Sequence, residues 1–196
     1  LFRSTVETED GSWIGEKDAQ KTEKDDVVVT YETTPEAEEV WLTADQTKVK
    51  TIKLRWNTPV NKKSRILGGS WERTYGDVDW KGISGSRFMP WYFLAAAGET
   101  VTGYGVKVRP SAMCFWQADT RGITLVMDVR CGGTGVQLSG RKLRAAQIVA
   151  MQTEGMGTFE SAREFCKVMC TDPICPNLPH ITSCLTPRRS EEHTSE

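Results

Sequence analysis

Histidine is nearly missing from this chain: two of 196 residues, His180 and His193, both close to the C-terminus. A Ser–His or Cys–His catalytic pair therefore has no base within the body of the sequence. An excess of either charge is missing too. Lys and Arg total 25 against 26 Asp and Glu, a formal net charge of −1, so no basic surface argues for nucleic acid or an anionic membrane as partner. No apolar run approaches the roughly 18 residues that a membrane-spanning helix needs. The N-terminus lacks the basic, apolar and small-residue order of a secretion signal, and the first residue is Leu1 rather than Met, as a fragment or processed product would show. The G-x-x-x-x-G-K phosphate loop is absent, and Gly132-Gly133-Thr134-Gly135 opens no helical pattern that would make it a dinucleotide fingerprint. No cofactor is expected.

Cysteine is present, six residues in all, without forming a site. Cys114 and Cys131 fall in strand-like runs, where a thiol acts as a small hydrophobe. Cys166, Cys170, Cys175 and Cys184 lack the paired two-residue knuckles of structural zinc sites, so no metal is expected. Carboxylates are the remaining catalytic option. Glu72, Asp77 and Asp79 share one stretch, and Asp119 and Asp128 lie further along. A glycosidase needs two carboxylates facing across a bond, roughly 5–10 Å apart, and nothing in the spacing pairs any two of these. They read as turn-forming and Arg-pairing acids, and no catalytic residue is expected.

What the chain does have is aromatic and glycine content, seven Trp and seventeen Gly, in keeping with many strands and turns. Strand patterns fall at 27–31, 40–43, 47–56 and 65–67, then at 87–96, 101–108, 111–117, 123–130 and 136–138. Within 47–56, Val49, Ile52, Leu54 and Trp56 are apolar, with Lys48, Lys50, Lys53 and Arg55 beside them, as in a half-buried strand with a basic outer face. Pro90 interrupts its run and predicts an edge strand or a bulge. The run 142–151 is compatible with strand or helix because of Ala145-Ala146. Short strands with turn signals about every ten residues make an all-β sandwich or barrel.

Residues 1–26 read as a polar, charge-rich leading segment, with 16–26 a solvated loop or disordered segment, and 27–157 as the β domain. A helix starts at Thr158, which can cap it, with Phe159, Ala162, Phe165, Cys166 and Met169 on one face. Pro173 ends that helix, and Pro176 and Pro179 make the continuation to residue 180 a linker. Residues 181–196 read as an unstructured, non-native tail, since 189–196 resembles the in-frame translation of a sequencing-library adapter.

The densest functional signal is Gly68-Gly69-Ser70-Trp71-Glu72-Arg73-Thr74-Tyr75-Gly76-Asp77-Val78-Asp79-Trp80. Strand periodicity is absent across 71–77 while apolar runs lie on both sides, which predicts an ordered loop. Flat aromatic faces beside carboxylates and a guanidinium suit a polyhydroxylated ligand: the C–H face of a sugar stacks on an indole and its hydroxyls take charge-assisted hydrogen bonds. The competing reading is a structural loop whose Trp residues plug the end of the β domain.

That loop, followed by Arg87-Phe88-Met89-Pro90-Trp91-Tyr92-Phe93, Gly103-Tyr104-Gly105-Val106-Lys107, Phe115-Trp116-Gln117 and Asp128-Val129-Arg130-Cys131-Gly132-Gly133-Thr134-Gly135-Val136-Gln137-Leu138, resembles the N-terminal β-sandwich of glycoside hydrolase family 36 α-galactosidases, particularly gut-bacterial, Bacteroides-type members. The resemblance covers about 27–179 and implies a large antiparallel β-sandwich (supersandwich), then a short helix and a proline-containing linker towards a (β/α)8 barrel. It implies a retaining double displacement carried out by two aspartates of that barrel, which would lie beyond this chain. It also implies that the sandwich lends a Trp-bearing loop to the rim of the galactose subsite. Trp71 resembles that residue, with Glu72, Arg73 and Asp77 as substrate-contacting neighbours. The implied partners are an α-galactoside and the barrel itself, with the full-length enzyme a candidate homo-oligomer, periplasmic or secreted rather than cytoplasmic. The alternative is a stand-alone carbohydrate-binding β-sandwich.

Overall fold

The computed structural model describes residues 2–69 and 79–170. Two antiparallel sheets face each other, with one helix on the outside of the larger sheet. The linker to residue 180, the tail 181–196 and most of the Trp-rich loop lie outside the described residues.

The first strands are β1 (Phe2–Thr8), β2 (Ser12–Ile14), β3 (Lys21–Lys24), β4 (Val27–Thr33), β5 (Glu38–Ala44), β6 (Val49–Trp56) and β7 (Arg65–Gly68). After the Trp-rich loop come β8 (Lys81–Gly82), β9 (Met89–Pro90), β10 (Tyr92–Ala97), β11 (Thr100–Val106), β12 (Met113–Asp119), β13 (Gly122–Asp128), β14 (Leu143–Glu154) and the helix α1 (Thr158–Cys170). The six-stranded sheet runs β2-β1-β6-β13-β12-β9, and the eight-stranded sheet runs β3-β4-β5-β14-β11-β10-β7-β8. The core between them holds the fully buried Phe93, Trp116, Leu42, Ile52, Leu54 and Leu125. This is the sandwich, rather than the barrel, of the two architectures the strand pattern left open.

In β6 the inward positions change parity, from Val49 to Ile52 and Leu54. The register explains it. Glu7 faces Thr51 and Thr8 faces Val49, so Lys50 is an extra residue bulged out of the ladder. The ambiguous run after Lys142 is a strand of 12 residues, with a similar irregularity between Arg144 and Ala146. Both alanines are buried there. The run 136–138 forms only a bridge from Val136 to Val49 and a hydrogen bond from the Leu138 N–H to the Ala44 carbonyl, 2.7 Å.

The leading residues depart from expectation. They supply three strands, and β1 lies inside the six-stranded sheet between β2 and β6. Its inward side carries Ser4, Val6 and Thr8, all buried. Two of these are polar, which hides the strand from any hydropathy reading. Ser4 is satisfied within the core by the Thr22 hydroxyl at 2.7 Å.

The outer face of the larger sheet carries a second apolar cluster, in which Phe165 and Met169 of α1 pack with Leu94, Val101 and Val149. Gly103 and Gly105 make the seat: a Cβ on Gly103 would lie 2.8 Å from Phe165 Cγ, and one on Gly105 would lie 2.7 Å from Met169 Sδ. That seat sets the rotation of the helix. Ser161, Phe165 and Met169 point inward, and the Ser161 hydroxyl meets that of Thr153 at 2.7 Å. Phe159 is left 78 % exposed and Cys166 is exposed, so the inward face is rotated away from 159 and 166, while Ala162 packs against the cluster as expected. The N-cap differs by one residue as well: the Gly157 carbonyl accepts the Ser161 N–H at 2.9 Å.

Pro90 and Trp91 mark where the chain changes sheet. β9 ends at Pro90 on the edge of the smaller sheet, and β10 begins at Tyr92 in the larger one. Proline tolerates the edge because no ladder partner needs its missing N–H.

Candidate functional site

The stretch 68–80 starts from β7 and returns through Trp80 into β8, so both of its ends sit on one edge of the larger sheet. Trp71, Glu72, Arg73 and Asp77 lie outside the described residues; the roots of the stretch lie within them. Arg87 donates from its two Nη atoms to the carbonyls of Ile66 (3.1 Å) and Gly68 (3.2 Å). Burial pulls the Arg87 pKa down from its ordinary value, and the carboxylate of Asp79 opposes that shift. Arg65 Nη2 donates to the Trp80 carbonyl. Trp80 is partly buried and packs against the cluster under α1. Gly69 lies against the sheet switch, its Cβ direction 3.2 Å from the Pro90 carbonyl oxygen.

The other acids considered from sequence are structural. Asp119 receives both oxygens' worth of hydrogen bonds from Arg55 Nη2, each at 2.9 Å, and accepts the N–H groups of Arg121 (2.7 Å) and Gly122 (3.0 Å). Arg55 chiefly, with those turn amides, holds its pKa below the usual carboxylate range. Asp128 accepts the backbone N–H (3.0 Å) and Nε–H (2.9 Å) of Arg130, which lowers its pKa in the same way. Both are turn-forming, Arg-pairing acids.

The Cys114 thiol is buried, donates to the Ala112 carbonyl at 3.5 Å and has its pKa pushed by desolvation to about 12. It is a core residue without nucleophilic character at neutral pH. Cys131 sits exposed in the glycine turn, bridged to Thr134, rather than in a strand. Among the described residues no three His, Cys, Asp or Glu side chains are grouped to hold a metal ion.

Sequence reasoning missed one feature. At the end of the sandwich where β4 turns into β5, a cavity of about 320 Å³ opens between the sheets, lined among others by Trp56, Tyr104, Trp116, Thr34, Glu36 and Glu38. A neighbouring cavity of about 210 Å³ shares Thr33, Glu38, Trp56 and Ile148 with it and reaches Phe2 and Tyr31. Glu36 is tied by the buried Lys107, whose ammonium donates to it at 2.9 Å. Trp56 stacks on Trp116 at 5.9 Å. The strand pattern marks these aromatics as core, and nothing in that pattern announces the space beside them. Compared with known proteins, the chain matches no family model, and no curated protein and no solved structure matches it either.

Proposed function

We propose that this chain is the non-catalytic N-terminal β-sandwich of a retaining α-galactosidase of glycoside hydrolase family 36, which hydrolyses terminal α-galactosides on a catalytic barrel. Trp71 then encloses the galactose subsite at the rim, and Glu72, Arg73 and Asp77 hydrogen-bond to sugar hydroxyls. The observation that carries the reading is the way the loop is mounted. Arg65 and Arg87 clamp the carbonyls of Trp80, Ile66 and Gly68, so a stretch rich in rings and carboxylates leaves a rigid sheet edge. The commitment of Asp119 and Asp128 to arginine partners also supports it, because it leaves the chemistry to residues elsewhere.

The test is hydrolysis of an aryl α-galactoside by this chain beside a version extended through its downstream reading frame. Activity is expected only in the extended protein. Activity in the short chain that disappears on changing Glu72 or Asp77 would overturn the proposal.

The second reading, a stand-alone carbohydrate-binding sandwich, is favoured by the inter-sheet cavity, whose volume sits at the small end of ligand pockets. Sugar affinity in the isolated chain that is lost on changing Trp56, with no gain of hydrolysis on extension, would select it.

A further inference from the structure

The two neighbouring cavities between the sheets, of about 320 and 210 Å³, share one charged side chain, Glu38. Together they are lined by Glu32, Glu36, Glu38 and Glu39. Three of these have a cation of their own. Lys107 pairs with Glu36 at 2.9 Å, Lys142 with Glu32 at 2.9 Å and Arg144 with Glu39 at 3.3 Å. Glu38 is the exception: among the described residues its carboxylate makes no hydrogen bond or ion pair. No Lys, Arg or His stands among the described residues that line either cavity.

An exposed glutamate without a partner is ordinary on a protein surface. Here it borders an aromatic wall. Trp56 and Tyr104 line the larger cavity and both meet Trp116, with ring centroids at 5.9 and 6.3 Å. Ring faces carry negative potential, so the wall and the carboxylate attract the same kind of group, a cation with an apolar body. An anion finds no positive side chain there, and a neutral sugar leaves the charge of Glu38 unmatched. The rim is also fixed in advance. The Thr34 N–H and hydroxyl both donate to the Ala37 carbonyl at 2.9 Å, and the buried Lys107 ties Glu36 to the residue that follows β11. A rim already ordered loses little freedom when a ligand enters.

We propose that the larger cavity binds a small organic ammonium ion, with Glu38 supplying the counter-charge and Trp56 and Tyr104 the ring faces. Its volume, at the small end of ligand pockets, suits a compact molecule. The ligand class is set by the cavity, independently of the Trp71-bearing loop.

The experiment titrates the whole chain with choline and with 3,3-dimethylbutan-1-ol, which has the same shape with carbon in place of the charged nitrogen. Binding is followed by NMR on the tryptophan indole N–H signals, and the Trp56 signal is assigned from Trp56→Phe. Choline is expected to shift that signal, and the neutral alcohol to bind roughly tenfold more weakly. Glu38→Gln keeps the side-chain shape and has no ion pair to lose. It is expected to weaken choline roughly three- to tenfold while leaving the alcohol and the melting temperature unchanged. Equal affinity for choline and the alcohol overturns the proposal, since the cavity then selects shape alone. Wild-type choline affinity in a folded Glu38→Gln overturns it as well. So does the absence of any indole response to choline. A Trp56 signal that moves with melibiose and not with choline overturns it in favour of the stand-alone sugar-binding sandwich. None of these outcomes bears on the α-galactosidase reading, which hydrolysis by the extended protein decides.

Discussion

Asp26 shows how one carboxylate fixes a turn. It accepts the backbone N–H groups of Gln46 (2.5 Å) and Thr47 (2.9 Å) and the Thr47 hydroxyl, tying the start of β4 to the connection between β5 and β6. These hydrogen bonds, the Thr47 hydroxyl first, hold its pKa well below that of an ordinary aspartate. Its folded-state value is therefore lower than the unfolded one, about 3.9. The contribution is complete above the unfolded value and disappears as pH falls through the folded one. Thermal melts between about pH 2 and pH 6 should show Asp26→Asn less stable than wild type at the upper end. The two curves should converge as acid protonates the wild-type carboxylate, and parallel curves would count against the assignment. Asp119 and Asp128 titrate with the same sign. Their roles were legible from sequence, since acids next to turn glycines and arginines have few other uses. The backbone of Trp91, φ +67°, was not legible, because nothing in a residue's identity announces a positive φ when that residue is not glycine.

Among the elements, α1 depends most on what lies beneath it. Gly103→Ala places a methyl within 2.8 Å of Phe165 Cγ, and neither the sheet backbone nor the ring root can move cheaply. A loss of about 1–3 kcal/mol is expected. Phe165→Ala, which empties the seat, should cost about 3–5 kcal/mol. In the double variant the two costs should be less than additive, because the clash has gone; denaturant unfolding of the four proteins measures this. The helix itself was visible from its apolar spacing, whereas its rotation was not. Several rotations satisfy the periodicity, and the choice was made by two glycines some 60 positions earlier along the chain. The β14 ambiguity has a similar origin: two alanines suit a helix, and pairing with β5 and β11 decides otherwise.

For the whole molecule, the order of strands in space ties the chain together end to end. β1 is paired on both sides, and β14 lies between β5 and β11. Removing residues 2–8 therefore does not trim a solvated leader. It strips a central ladder from β6 and leaves Leu54 and Ile52 without their inward neighbour Val6. The truncated protein is expected to aggregate or to lose its strand signal by far-UV circular dichroism; a soluble, folded monomer would refute the placement of β1. The strands within the polar leading segment were hidden because Ser4 and Thr22 bury a hydroxyl pair that composition counts as solvated. The all-β class itself was recoverable because alternation and turn spacing are properties of the whole sequence, insensitive to one misread strand; the same signals left sandwich and barrel open.

The aromatic residues along the seam link these scales. Phe2 meets Tyr31 at 5.1 Å and Trp56 at 6.2 Å; Trp56 stacks on Trp116, which touches Phe93 and Tyr104 at 5.8 and 6.3 Å. The chain of rings crosses from one sheet to the other more than once. Neighbouring chromophores this close share their electronic transitions, so the join between sheets is expected to contribute to the near-ultraviolet dichroism of the native protein as a group of rings. The fold thus carries its own optical strain gauge: a separation of the sheets too slight to unpair a strand would already dim that signal.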